Sequence, residues 1–171
     1  MGGALLKFEE PSFIYDDNDW WQFTGHRRWK YAPKHDIVIP APRVEMSADL
    51  YADGLLVGSI ESFSRRTSLV VRKDYWWDGA TGAPDNLPPW RRGLHVGLSI
   101  PTLIHDIACQ FLRCPEFRYH FWDRFTADQW FYYLLRHYGW RLAPLYYFGV
   151  RLHAAMPKRD DPSLSVTLYA P

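Results

Sequence analysis

The sequence predicts an α+β domain: a small antiparallel β-meander with three helices packed on one face, preceded by an irregular N-terminal arm. Three observations carry that expectation. Residues 44 to 75 alternate apolar and polar side chains around an Asp53-Gly54 turn. From Ser99 onward the apolar spacing lengthens to that of a helix. Strands come first and helices after, instead of alternating with them, which is the order of α+β rather than of a parallel sheet with crossover helices. The chain has 171 residues, 47% hydrophobic and 23% charged, enough to bury one domain core.

Residues 1–43 form the arm and residues 44–171 the single domain. The arm places an acidic aromatic cluster (Tyr15, Asp16, Asp17, Asp19, Trp20, Trp21) before a basic one, "GHRRWKY". His26, Arg27, Arg28 and Lys30 are suited to phosphate, but beside so many acids a solvated face is the simpler role. Prolines 33, 40 and 42 bound Ile37-Val38-Ile39, a candidate edge strand. In the domain, "VEMSADLY", the Asp53-Gly54 turn and "LLVGSIESF" make a hairpin. "SLVVRKDYWW" supplies a third strand and ends at the loop "DGATGAPDNLPP".

The first helix is expected to start near Pro101, with Ser99 or Thr102 at its N-terminus. It carries Ile100, Leu103, Ile104, Ile107, Ala108, Phe111 and Leu112 on one stripe and stops at Pro115. A second fits "TADQWFYYLLRHYG", with Thr126 as N-cap and Gly139 past its end. "PLYYFGVRLHAAM" makes a third, opened by Pro144 and closed by Pro157. The tail "SLSVTLYAP" alternates as a last strand.

A net charge of +1 gives no general pull toward nucleic acid or an anionic membrane. No secretory signal is expected at the N-terminus, and no apolar run approaches the roughly 18 residues that span a bilayer. Two cysteines, Cys109 and Cys114, set no disulfide framework. Aromatic residues reach 18%, which suits an aromatic core and also protein contacts.

The stretch with chemical content is "LIHDIACQFLRC". It sets His105 and Asp106 side by side in an apolar run, where a bare carboxylate costs several kcal/mol unless paired. Partners are to hand. Arg124 stands four residues before Asp128, a spacing that joins their side chains if the second helix begins slightly early. Asp78 in the "DGAT" loop, with Gly79 to turn the backbone and the Thr81 hydroxyl, is another. If the first two helices pack antiparallel under that loop, His105, Asp106, Asp128 and Asp78 converge.

The order "YWWDGATGAP", "IHDIACQF", "DRFTADQWFYYLLRHYGW", "YYFGVRLHA" resembles the phage and prophage family catalogued as domain of unknown function 1353. Members similarly show an Asp-(Gly)-Ala-Ser/Thr-x-Pro segment, a His-Asp helix, an Arg-x-x-Ala-Asp helix and a closing Val-Arg helix. The resemblance covers residues 70 to 155. It maps onto Asp78, Gly79, Ala80, Thr81, Pro84, His105, Asp106, Arg124, Ala127, Asp128, Val150 and Arg151. It implies a phage setting, in the virion or the host cytoplasm.

Two roles for these residues are open. His105, Asp106 and Asp128 can hold one divalent metal ion, whose bound water hydrolyses a phosphoester or amide with Asp78 nearby, while Arg124, Thr81 and Arg151 bind substrate. Alternatively, the same groups tie three segments together without catalysis. A zinc set of Cys109, Cys114, His105 and His120 has no recognised finger spacing. The expected function is that of a phage-type accessory or structural protein, virion- or tail-associated. It would act on other virion proteins or on copies of itself and need no nucleic acid; a metal-dependent hydrolase is the alternative.

Overall fold

The computed structural model describes residues 21–23, 31–73, 75–77, 96–154 and 159–169. The acidic cluster of the arm apart from Trp21, most of its basic cluster, and the "DGAT" loop with Asp78 and Thr81 lie outside the described residues.

The chain folds as α+β. Strands β1 (Trp21–Phe23) and β2 (Tyr31–Pro33) pair as a small antiparallel ribbon. Five further strands form one antiparallel sheet: β3 (Ile37–Pro40), β4 (Ser47–Ala52), β5 (Leu55–Phe63), β6 (Arg66–Val71) and β7 (Leu164–Tyr169), in the order β3-β6-β5-β4-β7. Within the stretch read as an arm, Ile37–Pro40 is therefore part of the main sheet. It takes the edge, where Pro40, with no N–H to give, does no damage to a ladder.

Asp53 and Gly54 both take positive φ, 50° and 76°, as the tight β4–β5 turn requires. The β5–β6 turn uses Ser64 and Arg65 at φ 46° and 79°, a left-handed pair built without glycine. Cross-strand pairing lines two rows across the sheet. One runs Ile39, Leu69, Ile60, Ala48, Leu168; the other runs Ile37, Val71, Gly58, Leu50, Val166. Because side chains alternate along a strand, both rows share one face.

That face is covered by α1 (Val96–Phe111) through Ile100, Leu103, Ile104, Ile107, Ala108 and Phe111, all buried. Each fully buried aliphatic side chain contributes about 1.5–3 kcal/mol. Gly58 marks the closest approach: a Cβ there would lie 2.6 Å from the Val70 carbonyl oxygen and 3.3 Å from Ile107 Cδ1. Behind α1 lies α3 (Arg124–His137), which adds Ala127, Trp130 and Leu134 to the same core. The final helix, α4 (Ala143–His153), packs on α3 around a smaller cluster of Leu98, Phe131, Leu135 and Ala143.

Helix boundaries depart from expectation in three places. First, α1 begins at Val96, so Pro101 lies inside it. Pro101 withholds the N–H that would bond the Gly97 carbonyl, and the Thr102 hydroxyl shares its one proton between the Leu98 and Ser99 carbonyls, with Oγ1 at 2.9 and 3.0 Å. Second, Pro115 does not only end α1; it opens a short helix, α2 (Pro115–His120), since proline's fixed φ suits a first helical turn. Third, the N-cap of α3 is Asp123, not Thr126: Asp123 Oδ1 accepts the Thr126 N–H at 2.7 Å. Gly139, at φ 73°, closes α3 as expected. Among the described residues no helix is long and apolar enough to cross a membrane.

Candidate functional site

The site grows from the face that α1 turns away from the sheet. Starting α3 at Arg124 puts Arg124 and Asp128 one turn apart on one side of the helix, and Arg124 Nε donates to Asp128 Oδ1 at 2.8 Å. The antiparallel neighbour α1 brings His105 to the same oxygen, with Nε2 at 2.8 Å. From α4, Arg151 Nη1 donates to Asp128 Oδ2 at 2.9 Å. Three helices thus meet on one carboxylate, which is fully buried. Arg124 also reaches the Val150 carbonyl through Nη2 at 3.4 Å, a second tie to α4. On the outer side, Arg151 lies over the Phe125 ring, 5.2 Å from its centroid.

His105 is held from other directions as well. Its ring packs on Phe131 with centroids 4.6 Å apart. Cys109, one turn along α1, places Sγ 3.4 Å from Nε2 and 3.8 Å from Nδ1. Asp106 stands toward Nδ1, with Oδ1 at 4.0 Å, and its other oxygen accepts the Trp77 indole N–H at 2.8 Å.

The electrostatics follow from this packing. Burial works against a charged imidazole at His105, but the hydrogen bond to Asp128, with Cys109 and Asp106 beside it, more than offsets that and raises its pKa from 6.5 to about 9. Asp128 is likewise opposed by burial, yet His105, Arg124 and Arg151 together hold its carboxyl below the usual carboxylate range. At neutral pH the centre is an imidazolium and two guanidinium groups around one carboxylate.

Of the residues singled out from sequence, His105, Arg124, Asp128 and Arg151 come together in direct contact, and Asp106 stands beside them. Asp78 and Thr81 lie outside the described residues. The candidate metal-ligand atoms found within 4.8 Å of one another belong to His105, Cys109 and Asp128, so Cys109 stands where the sequence suggested Asp106. The four-residue zinc arrangement is not assembled among the described residues. Cys114 Sγ instead donates to Glu116 Oε2 at 3.1 Å, and the His120 ring meets Tyr119 edge-on. The sequence offers Cys109 only in a zinc set with Cys114 and His120; its i, i+4 relation to His105 is the signal that sets it in the site.

Beside this network lies a cleft of about 660 Å³ between α1 and α4. Polar groups of His105, Asp106, Cys109 and Arg124 line one part of it, and Phe131, Leu145, Tyr146 and Val150 supply apolar wall. No family model, no curated protein and no solved structure matches the chain.

Proposed function

We propose that the chain is a phage-type accessory or structural protein, virion- or tail-associated, that works by gripping another particle protein along α4. One observation carries this reading: Leu145, Phe148 and Leu152, at helical spacing i, i+3, i+7, are 64%, 61% and 62% exposed on a single stripe. The Asp128 network supports it from beneath. Arg151 and the Val150 carbonyl are both held by the network, so α4 is fixed at the angle that presents the stripe.

The partner segment is acidic and apolar. No Asp or Glu occurs between Asp128 and Asp160, while Arg136, Arg141, Arg151, Lys158 and Arg159 do, so the stretch of sequence that carries the stripe is one-sidedly basic. That charge disfavours pairing with the same helix of a second copy and favours a carboxylate-rich, leucine- or phenylalanine-bearing surface.

A photo-reactive phenylalanine analogue at position 148, irradiated in particles from the organism that encodes the chain, tests this. The expected product is a cross-link to an Asp/Glu-rich segment of another particle protein, lost when Leu145 and Leu152 are both changed to Ser. A cross-link only to lipid, only to a second copy, or absence of the chain from particles overturns the reading.

The second reading is a metal-dependent hydrolase, favoured by the close approach of His105, Cys109 and Asp128. It requires the imidazolium to lose its proton and a dication to enter beside two guanidinium groups, both of which oppose it. Stoichiometric zinc or manganese in the purified protein, released on Cys109→Ser, is the result that would reinstate it.

A further inference from the structure

The cleft between α1 and α4 calls for an occupant that the network alone does not supply. Its size falls within the range of small-molecule sites, roughly 300–1,000 Å³, at about 660 Å³. Two donors on its lining are underused. Arg124 spends Nε on Asp128 and Nη2 on the Val150 carbonyl, which leaves Nη1. His105 spends Nε2 on Asp128, while Nδ1 meets nothing better than Cys109 Sγ at 3.8 Å and the Asp106 carboxylate at 4.0 Å. His105 is buried, so a charged ring nitrogen without an oxygen acceptor there is a standing cost that a ligand oxygen removes.

We infer that this cleft binds a small organic carboxylate, with its head between His105 and Arg124 and an apolar or aromatic body against Phe131, Tyr146 and Val150. The sign of the charge follows from the inventory of the site. Among the described residues, His105, Arg124 and Arg151 carry three positive charges against the two carboxylates of Asp106 and Asp128, and His105 and Arg124 both line the cleft. Asp106 is engaged by the Trp77 indole and sits toward the His105 Nδ1 side. Room for the body is set by Gly149 on α4, where a Cβ meets nothing within 4 Å. Leu145 belongs both to the exposed stripe on α4 and to the cleft wall, so the inference rests on His105, Arg124, Phe131, Tyr146, Gly149 and Val150 instead.

The test is calorimetric titration of the purified protein with 4-phenylbutyrate, 4-phenylbutanol and 4-phenylbutylamine. The expected result is saturable binding of the carboxylate at one per chain. The alcohol is expected to bind about tenfold more weakly, the loss of one charge-assisted contact, and the amine not at all. Gly149→Leu fills the cleft without touching the network and is expected to weaken the carboxylate about tenfold or more while the melting temperature holds. A shift of the His105 imidazole resonances on adding 4-phenylbutyrate provides a second readout in the unaltered protein. Binding of the amine as tight as that of the carboxylate, indifference to Gly149→Leu with no shift at His105, or no saturable binding of any of the three overturns the inference.

Discussion

The two sides of α1 solve different problems. Toward the sheet it offers Ile100, Leu103, Ile104, Ile107 and Phe111 to rows of aliphatic side chains, and every contact is non-directional. Toward α3 and α4 it offers His105, whose hydrogen bond to Asp128 joins a four-residue charge network centred on that buried carboxylate. The apolar side supplies most of the driving force, but it tolerates exchange among residues of similar volume. The polar side permits one arrangement only, because Asp128 must meet three cations at once. Cohesion comes from the first side, and the angle of α4 from the second.

Removing the shared carboxylate is the sharpest way to break that contrast. Asp128→Ala strands a buried imidazolium and two guanidinium groups and is expected to cost about 4 kcal/mol in urea unfolding, the usual scale for breaking a buried ion network. A loss under 1 kcal/mol would mean that the network does not hold the helices. Titrating the ring comes next. The folded pKa of His105 is raised above its unfolded value, so its contribution is fully present below pH 6.5 and is lost as pH rises through about 9. That contribution is roughly 3 kcal/mol. Unfolding curves at pH 6, 8 and 10 are expected to show the decline, and the decline is expected to vanish in His105→Gln. Asp128 works in the opposite sense: its pKa is lowered, so its share is present above the ordinary carboxylate value and is lost as pH falls through the folded one.

On the apolar side, Ile107→Val removes one methylene over Gly58 and is expected to cost about 1 kcal/mol with no change in pH dependence. Arg151→Ala is smallest, at about 0.5–1 kcal/mol, since more than a third of that side chain meets solvent and screening weakens its bond to Asp128. Its characteristic effect is on α4, where amide exchange is expected to quicken while α1 and α3 stay protected. Equal loosening of all three helices would remove the special link between Arg151 and α4.

Much of this was legible in the residues. The alternation of "VEMSADLY" and the left-handed Asp53-Gly54 pair announced the first hairpin, and the i, i+4 spacing of Arg124 and Asp128 announced their bond. The joining of His105 to Asp128 followed from asking what a polar residue on an apolar stripe must find. What escaped was set by long-range packing or by local rules that compete. No feature of "SLSVTLYAP" says that it pairs with β4 rather than β3. Pro115 is a valid stop and an equally valid start, and only the burial of Phe117 decides for a helix. Asp123 and Thr126 are both good caps; the earlier start wins because it brings Arg124 onto Asp128. Arg151 was flagged only through the order of family-like segments, since its partner lies 23 residues away on another helix.

The most direct measurement is an NMR pH titration of the His105 ring nitrogens in the folded protein. The account predicts an imidazolium that persists through pH 8 and titrates at about 9. A midpoint at or below 6.5, the ordinary histidine value, would contradict it. In that case three helices would not be held by a charged clamp on Asp128.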